Sequence, residues 1–336
     1  MRPHSPIISE LTNLPKQNIV ELPLRNALDA GNASRLASLV KKHEIEIVHA
    51  HMARDYPLAA YAARRNPRAR LIITRHVLFP ISRLHKFTLA RVARVIAVSE
   101  AVRRQFLEAH LVPAEKVTVV HNGIDIKRFQ RTMSEFDRSS FRREWGIPEG
   151  SLLVASVGAI TPLKGHEDFL RAAVQVVKQV PAAHFIIAGV DASEGQKTRS
   201  ELKQLTQKLG LDSRLTFIGK LDDIADLYNV LTVLVSASHT ESFGLVIVEA
   251  MAAGVAVVAT MTEGALEIIE NGQTGVLVPV VDATALAGSI VGLLSDEELR
   301  EKLVKFAQAS VSSRFSLQRM VDETEKIYLE SQNDPR

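Results

Sequence analysis

Short apolar runs that recur along the chain restrict its fold more than any other feature. The first half holds IEIVHAH and RLIITRH, and the second holds SLLVASVGAI, HFIIAGV, LTVLVSAS and GVAVVAT. A strand with one buried face alternates apolar and polar residues, whereas a nearly continuous apolar run is typical of a parallel sheet that helices cover on both faces. Longer helical patterns separate the runs. The alternation therefore predicts α/β domains of the doubly wound, Rossmann-like type.

The length and the rhythm together predict two such domains. A chain of 336 residues is long enough for about two separate cores. The first predicted strand is QNIVELPL, and the rhythm stops in a charged, Ser- and Gly-containing stretch before it restarts at SLLVASVGAI. We expect a first domain at 1–130, a linker at 131–150, a second domain at 151–314 and a final helix at 315–336. Ligands of such sheets bind beyond the carboxyl ends of the strands, so a cleft between the domains is the expected site.

Charge is divided unevenly between the two halves. The whole chain carries +3, but residues 1–150 hold 25 Lys and Arg against 14 Asp and Glu, a net +11, which leaves −8 for the remainder. Between Asp55 and Glu100 there are nine Lys or Arg and no acidic residue. The asymmetry indicates an anionic partner for the first half, such as acidic lipid, a phosphorylated acceptor or nucleic acid. A solvated basic face is the alternative interpretation.

Composition also excludes several classes of site. The chain has no cysteine, which rules out disulfides, thiolate metal sites and cysteine nucleophiles, and which fits a reducing compartment. No apolar run of signal length opens the sequence, and nowhere do about 18 uncharged apolar residues follow one another. The expectation is a cytoplasmic protein without a membrane-spanning segment. Peripheral contact with the inner membrane face is a further expectation from the basic first half.

The stretch ESFGLVIVEAMAAG places two carboxylates around an apolar helix. Glu241 falls in the loop after the strand LTVLVSAS, and Glu249 falls two turns into the helix. The free N–H groups of Phe243, Gly244 and Leu245 at the helix start predict an anion site. A charged Glu249 in this apolar helix must face the cleft or find a partner, because burying it alone costs several kcal/mol. The alternative is that Glu249 only caps or pairs with a neighbouring helix.

This stretch, E-S-F-G-x-x-x-x-E followed by A-M-A-x-G, resembles the signature of the retaining GT-B glycosyltransferases of family four, also called glycosyl transferases group 1. Other segments resemble that family in the same order: RVIAVSEAVR, VVHNGID, VGAITPLKGHEDFLRAA, LTFIGKLDD and EGALEIIENGQTGVLV. The resemblance extends from about residue 17 over nearly the whole chain. It implies two Rossmann-like domains facing across a cleft, with the final helix crossing back to the first, acceptor-side domain.

The same resemblance implies an activity and its partners. A sugar would move from a nucleoside-diphosphate sugar to a hydroxyl of a glycan, lipid or small-molecule acceptor, with retention of configuration. Contact with an anionic membrane is compatible with this activity, and nucleic acid is not an expected partner. No metal or other cofactor is implied, and the chain contains no D-x-D motif through which a divalent cation could be held on the diphosphate.

Roles for single residues follow from the resemblance alone. Lys164 would offset the pyrophosphate charge, Glu249 would accept hydrogen bonds from the ribose, and Glu241 would hold hydroxyls of the donor sugar. His76, which ends RLIITRH, would point toward the reacting centre, so Glu241 and His76 are the predicted catalytic residues. The predicted donor-binding residues are Gly158, Lys164, Gly219, Ser242, Phe243, Gly244, Leu245 and Glu249.

Several of these residues have simpler alternative roles. Gly158 and Gly219 are equally well explained as turn glycines without a ligand. A histidine at a strand end, such as His76, is more often structural than catalytic. His49 and His51, at the end of the preceding strand, are weaker candidates for the same site and lack convincing partners for a metal.

The sequence departs from the family pattern at two places. Ala159 occupies the position where the family usually has an arginine that shares the pyrophosphate with the lysine, and Arg75 is a candidate to compensate. Only about 16 residues precede QNIVELPL, so the usual first β-α-β unit is expected to be absent. Two alternatives therefore stay open: a nonenzymatic nucleotide- or glycan-binding remnant, and a sugar-nucleotide 2-epimerase. A dehydrogenase is disfavoured because no G-x-G-x-x-G follows a strand.

Overall fold

A computed structural model describes residues 8, 11, 14–23, 29–130 and 137–333. It confirms the predicted α/β class, with two separate and wholly parallel sheets. The described residues of Met1–Val120 and Asp322–Arg336 form one compact unit, and those of His121–Val321 form a second. Among the described residues, no helix combines the length and the apolar character that crossing a bilayer requires.

The first unit contains a four-stranded sheet in the order β1-β2-β3-β4. Every pair of neighbours is parallel, so all four carboxyl ends lie at one edge. The central strands are almost fully buried, as their apolar runs predict. The strands are β1 Ile47–Ala50, β2 Arg70–Arg75, β3 Val92–Ala97 and β4 Val117–Val119; the helices are α1 Ala30–Lys42, α2 Tyr56–Arg65, α3 His85–Leu89 and α4 Glu100–Glu108.

One predicted strand of this unit is wrong. In QNIVELPL, Lys16–Asn18 is a single 3-10 turn, residues 19–23 belong to no strand, and Leu24 lies outside the described residues. Pro23 lacks an N–H for a sheet ladder, which explains why an apolar run fails to pair here. The predicted cap of the helix after β3 is confirmed, because Ser99 Oγ accepts a hydrogen bond from the backbone N–H of Val102 at 3.1 Å.

The second unit contains a six-stranded sheet in the order β10-β9-β8-β5-β6-β7. The strand order reverses between β5 and β8, which is the switch point of a doubly wound fold. The strands are β5 Leu152–Val157, β6 Ala183–Ala188, β7 Leu215–Ile218, β8 Val233–Ser236, β9 Ala256–Thr260 and β10 Val276–Val278. The helices from here to the end of the chain are α5 Ile126–Phe129, α6 Arg138–Glu144, α7 His166–Gln179, α8 Lys197–Lys208, α9 Ile224–Tyr228, α10 Leu245–Ala252, α11 Glu263–Ile268, α12 Ala283–Ser295, α13 Glu297–Arg314 and α14 Leu317–Asn333.

Most of the segment predicted as a linker is folded into the second unit. Asp137 caps α6 by accepting from the N–H of Ser140 at 2.9 Å. Phe141 and Ile147 are buried in a cluster that also contains residues of β5 and β6. The four-residue spacing of Phe141 and Trp145 puts both rings on one helix face, which accounts for the packing. Residues 131–136 lie outside the described residues, and the predicted domain boundaries stay predictions.

The final helix α14 is divided between the two units. Its residues from Asp322 onward group with the first unit. There the Tyr328 hydroxyl lies 2.6 Å from His49 Nδ1, and Gln332 donates to Glu46 at 2.9 Å. A helix at the end of the chain thus supplies a polar partner to the carboxyl end of β1.

Candidate functional site

The topology of the second unit brings two loops together at its switch point. One loop, residues 158–165, follows β5, and the other, residues 237–244, follows β8. Because β5 and β8 are parallel neighbours, both loops leave the same edge of the sheet. This is the place where doubly wound sheets bind ligands. Lys164 lies in the first loop and Glu241 in the second, so the fold itself explains their proximity.

A glycine makes the close packing of these loops possible. Gly165 has φ +62°, and a Cβ built on it would lie 1.9 Å from the carbonyl oxygen of Ala237. Any side chain there would push the Lys164 turn away from the end of β8. The N–H of His239 then donates to the carbonyl of Leu163 at 2.8 Å, which ties the two loops by their backbones.

The loop 237–244 is also fixed from its other side. The Thr260 hydroxyl donates to the carbonyl of Ser238 at 2.5 Å. The N–H of Gly264 donates to the carbonyl of Glu241 at 3.0 Å. A Cβ on Gly264 would lie 2.3 Å from the carbonyl oxygen of Phe243, so only glycine fits between α11 and this loop. The position of Glu241 is therefore set by backbone contacts on both flanks.

Lys164 and Glu241 form an ion pair at the junction of the loops. Lys164 Nζ lies 2.5 Å from Glu241 Oε2, and the side chains are only 25% and 13% exposed. Charge-assisted hydrogen bonds of this kind are short and strong. The methylene groups of Lys164 run beside Gly158, where a Cβ would lie 3.5 Å from Lys164 Cε. The prediction that both charged residues share one site is in keeping with this geometry.

The start of α10 presents unpaired amides to the same loop. Gly244 has φ +109° and precedes the helix, which begins at Leu245. Within the described part of the chain, the N–H groups of Phe243, Gly244 and Leu245 have no hydrogen-bond acceptor. The helix dipole adds positive potential at this end. The Phe243 side chain is 2% exposed, so this residue can offer a ligand only its backbone, while Leu245 is exposed.

Glu249 points at a partner on another helix. Its Oε2 accepts a hydrogen bond from the Tyr228 hydroxyl at 2.9 Å, whereas Oε1 has no partner among the described residues. Burial raises the pKa of Glu249, while the Tyr228 hydrogen bond and the charge of Arg128 act in the opposite direction. Arg128 itself binds Asp223 at 3.0 Å. Glu249 is therefore a partly buried acid that keeps one oxygen for a further donor.

Two further predicted positions, and the departure at Ala159, are less informative. A Cβ on Gly219 would meet only Arg199 Nη1, at 3.9 Å, so protein packing does not require a glycine there. Ser242 is partly exposed beside Glu241. Ala159 offers its carbonyl to the ring of His166, whose Nε2 lies 3.3 Å away. Besides Lys164, the loop 158–165 contains no Lys or Arg that could take the place of the arginine expected at position 159.

His166 fixes the first loop through its contact with the Ala159 carbonyl. Its Nδ1 lies 3.1 Å from the Ser156 hydroxyl, opposite the contact with Ala159. Burial lowers the pKa of His166 to about 4, so the ring is neutral at pH 7. A neutral ring that donates from Nε2 to the carbonyl must accept at Nδ1, and the Ser156 hydroxyl is the matching donor. His166 is thus a positioning residue for the loop that carries Lys164.

The first unit places three histidines together at the carboxyl edge of its sheet. His51 Nδ1 lies 3.1 Å from His76 Nε2, and these rings stack with their centres 5.4 Å apart. His49 lies between the Tyr328 hydroxyl at 2.6 Å and Thr74 Oγ1 at 2.7 Å. Burial lowers the pKa of His49 to about 3 and that of His76 to about 4, and neighbouring imidazoles act in the same direction. The cluster is therefore uncharged at pH 7.

The structure brings His76 together with His51, a pairing that the sequence did not predict. No group of three or more His, Asp or Glu side chains suited to a metal ion occurs among the described residues, this cluster included. Arg75, the suggested substitute for the missing arginine, is buried and donates to the carbonyl of Phe79. Its guanidinium thus has a structural role within the first unit.

Some residues of the site were missed at the level of sequence. Gly165 and Gly264 fix the loops, and Tyr228 and His166 hold Glu249 and Ala159. The glycines lie beside predicted residues in the strings LKG and EGALEII, so a signal was present. Nothing in the sequence linked Tyr228 to Glu249, because 21 residues and a strand separate them.

Comparison with known proteins places this site in context. The family model described as glycosyl transferases group 1 matches residues 137–310, and that of glycosyltransferase family 4 matches residues 5–128. The N-acetyl-alpha-D-glucosaminyl L-malate synthase of Bacillus anthracis is 29% identical over 318 residues, which are 92% of this chain and 81% of that protein. The D-inositol 3-phosphate glycosyltransferase of Mycobacterium marinum is 32% identical over 232 residues. The latter match covers 68% of this chain but only 48% of the relative's length.

Solved structures resemble the chain over most of its length. A glycosyltransferase from Rickettsia africae has a TM-score of 0.87 at 25% identity, covering 98% of this chain and 89% of that one. Anabaena Alr3699/HepE in complex with UDP has a TM-score of 0.81 at 26% identity, covering 90% and 82%. The same Anabaena protein has also been solved with UDP-glucose. Similarity of this extent agrees with a fold of two Rossmann-like domains, one on each parallel sheet.

Proposed function

Because the chain belongs to the family of glycosyl transferases group 1, we propose that it transfers a sugar from a nucleoside-diphosphate sugar to a hydroxyl acceptor, with retention and without a metal ion. The observation that carries this proposal is the Lys164–Glu241 pair, set beside three unpaired amides at the start of α10. A diphosphate needs compensating positive charge, and a sugar needs hydrogen-bond acceptors. The site offers both within one loop junction.

The diphosphate would be bound by Lys164 and the amides together. Lys164 Nζ donates a hydrogen bond to Glu241. A phosphate oxygen approaching the N–H groups of Gly244 and Leu245 would compete for that ammonium group. Glu241 would then accept hydrogen bonds from the donor sugar, which explains why the acid and the lysine are neighbours. A lysine and a helix start supply positive charge, so that in this proposal no cation is required.

Glu249 and Tyr228 would hold the ribose. The Tyr228 hydroxyl occupies Glu249 Oε2 and orients the carboxylate, while Oε1 stays available for ribose hydroxyls. Partial burial strengthens such a hydrogen bond because water competes less. For the donor, the UDP and UDP-glucose complexes of the Anabaena neighbour make a UDP-sugar the first compound to test.

The proposed chemistry is a displacement on one face of the sugar. The bond from the anomeric carbon to the phosphate oxygen breaks, the bond to the acceptor oxygen forms on the same face, and the leaving phosphate takes the acceptor proton. The protein contributes positioning and electrostatic stabilisation rather than a nucleophile. His76 is proposed to contact the donor sugar near the reacting carbon, as a neutral imidazole.

The acceptor and the location of the protein are part of the same proposal. A hydroxyl of a glycan, lipid or small molecule would serve as acceptor, and the first unit would contact an anionic membrane face. The support is the charge distribution, because the stretch from Asp55 to Glu100 contains nine cationic residues and no acidic one between its ends.

Two alanine variants test the site directly. Glu249→Ala should weaken binding of the nucleotide donor by roughly 1–3 kcal/mol, because a charge-assisted hydrogen bond to ribose is lost. Glu241→Ala should lower turnover more than nucleotide affinity. Titration calorimetry with UDP and initial rates of UDP release from UDP-sugars would measure the two effects. Glu301→Ala, an exposed acid on α13, is the matched control.

The outcomes separate the proposal from its alternatives. Unchanged binding and turnover in both variants would remove the site assignment. Tight binding of UDP-sugars with no release of UDP, across a panel of acceptors, would instead support a nonenzymatic binding protein. An epimerised nucleotide sugar as the product would support the 2-epimerase alternative.

A further inference from the structure

A cavity of about 400 Å³ lies at the amino-terminal edge of the first unit's sheet. Its walls come from the end of α2, the starts of β2 and β3, and residues between 88 and 94. Five lining side chains are cationic and the described lining includes no carboxylate; the cations are Arg64, Arg70, Arg91, Arg94 and Lys116. His76 lies beyond the opposite end of β2, so that the six-residue strand puts the cavity roughly 20 Å from the histidine cluster.

Two of these cations shape the cavity without losing their charge. Arg64 donates to the carbonyl of Phe87 and, at 3.1 Å, to that of Thr88. Lys116 Nζ donates to the carbonyl of Val92 at 2.9 Å. The acceptors are neutral backbone groups, so they orient the cations but do not cancel their charge. Apolar residues, among them Ala60, Ala63 and Leu71, also line the cavity. A small anionic group is the ligand that such a lining favours.

An exposed apolar surface adjoins this cavity through the segment 79–91, which we name the crossover segment. Phe79, Leu84 and Phe87 are 64%, 80% and 78% exposed. The cations of the segment, Arg83, Lys86 and Arg91, fall between or beside them in the sequence. Large apolar side chains exposed among cations are typical of segments that lie at a membrane interface. Arg64, which lines the cavity, donates to the carbonyl of Phe87, and this hydrogen bond connects the exposed apolar surface to the cavity wall.

We infer that the cavity and the crossover segment form a docking site for an anionic lipid bilayer, in which Leu84 and Phe87 enter the lipid layer and the cavity binds a headgroup phosphate. The inference rests on the membrane contact in the proposed function and names the surface that makes it. Charge decides the lipid class, because zwitterionic headgroups give a cationic cavity no net attraction. Leu84, which is 80% exposed and directly precedes α3, favours lipid over nucleic acid, whose bases stack on aromatic rings.

Vesicle sedimentation with the whole chain tests the surface. Vesicles of phosphatidylcholine with about 30% phosphatidylglycerol should bind the protein at least tenfold more tightly than phosphatidylcholine alone, since several cations act together. Raising NaCl should weaken this binding. Equal binding to both vesicle types, or no binding to either, would overturn the inference.

Matched variants then separate the parts of the surface. Leu84→Ser with Phe87→Ser should lower binding at least about tenfold through lost apolar burial. Arg91→Gln with Lys116→Gln should lower it about 25-fold, at roughly fivefold for each charge. Phe306→Ser with Lys305→Gln changes an exposed apolar residue and a neighbouring exposed cation on α13, away from the cavity, and should leave binding unchanged. A loss in this control as large as in the other two would overturn a specific surface.

The role of the cavity has its own control. Arg83→Gln with Lys86→Gln removes two charges of the crossover segment that do not line the cavity. A loss clearly smaller than that of the Arg91 and Lys116 double variant supports a headgroup site in the cavity. Equal losses of vesicle binding in the two double variants would show that the basic surface acts as a whole and would overturn a headgroup site in the cavity.

Soluble probes identify the source of the phosphate. Glycerol 3-phosphate should bind only weakly in calorimetry, and it should compete with phosphatidylglycerol vesicles at high concentration. Tight binding of this probe without vesicle binding would show a soluble-phosphate site and overturn the lipid assignment. Displacement from vesicles by a single-stranded oligonucleotide would favour nucleic acid instead.

Calorimetry with UDP on the same samples keeps the two proposals separate. Loss of vesicle binding with normal UDP binding would contradict the docking site alone. Normal vesicle binding without UDP binding would contradict the proposed donor site alone. The same UDP titration shows that each variant is folded.

Discussion

Both units are built on a wholly parallel sheet, of four strands in the first and six in the second, but they present different chemistry at the carboxyl ends of their strands. In the second unit an ion pair and free amides lie on loops fixed by backbone contacts, and a partly buried acid, Glu249, lies in the helix α10 that follows. In the first unit three neutral imidazoles lie in contact at the sheet edge, where Tyr328 and Thr74 hold the ring of His49. A backbone-built site suits a constant ligand such as a nucleoside diphosphate. A site built from side chains can change by substitution while the fold is kept.

Replacing Lys164 tests the charged site of the second unit and has the largest expected effect. Lys164→Gln should reduce kcat/KM for a UDP-sugar about 10²–10³-fold, because a preorganised charge at the leaving diphosphate is lost. Initial rates at varied donor concentration would measure it. Lys178→Gln, at an exposed lysine near the end of α7, the helix that follows the Lys164 loop, should behave as the wild type. A Lys164 variant with near-normal kcat/KM would contradict the assignment.

A pair of glycine variants tests whether backbone packing builds the second unit's site. Gly165 and Gly195 have nearly equal φ angles, +62° and +64°, but a Cβ meets a carbonyl oxygen only at Gly165. Gly195→Ala should cost about 1–2 kcal/mol of unfolding free energy for the left-handed backbone. Gly165→Ala should cost a further 1–3 kcal/mol or so for the steric overlap. Urea unfolding would compare them, and equal costs would show that the loop relaxes freely.

A variant of His76 tests the uncharged histidine cluster of the first unit. His76→Asn should lower turnover about tenfold to a hundredfold through poorer positioning of the reacting sugar. UDP affinity should not change, because the nucleotide contacts are assigned to the second unit. His51→Asn, whose amide can still reach His76, should have a smaller effect. A His76 variant that loses UDP affinity and keeps its turnover would break the proposed division of labour.

The pH dependence of stability offers the smallest and most selective test. Burial raises the pKa of Glu249, so the native state holds its proton more tightly than the unfolded state does. The wild type therefore loses stability as the pH rises through the window between the unfolded pKa and the raised native value. Glu249→Gln should escape this loss, with a melting temperature up to about 3 °C higher than the wild type at pH 7. A smaller gain near pH 4 is expected, and the same difference at both pH values would exclude Glu249 as the cause.

Much of this arrangement could be predicted from the sequence, because its signals are local. The continuous apolar runs predicted both parallel sheets, and the spacing of Glu241 and Glu249 placed them in a loop and a helix, where the structure has them. The strand predicted for QNIVELPL does not form, because Pro23 lacks the N–H that sheet pairing needs despite the apolar pattern. The stretch around Phe141 was predicted as a linker because it is rich in charged residues, although it forms a short helix with one apolar face.

What the sequence could not supply was contact between distant segments. The Tyr228–Glu249 and His51–His76 hydrogen bonds join residues on different elements. The steric need for glycine at Gly264 depends on a carbonyl that approaches only in the folded unit. Such contacts follow from strand order, which local patterns do not encode.

The central claim is that a lysine and an amide-rich helix start neutralise a diphosphate. Calorimetry of UDP and UMP binding in EDTA, with the wild type and Lys164→Gln, tests it most directly. The wild type should bind UDP more tightly than UMP, and the variant should lose about 1.5–3 kcal/mol of UDP binding while its UMP binding is unchanged. Equal affinity for UDP and UMP in the wild type, or UDP binding that EDTA abolishes and Mg²⁺ restores, would contradict the claim.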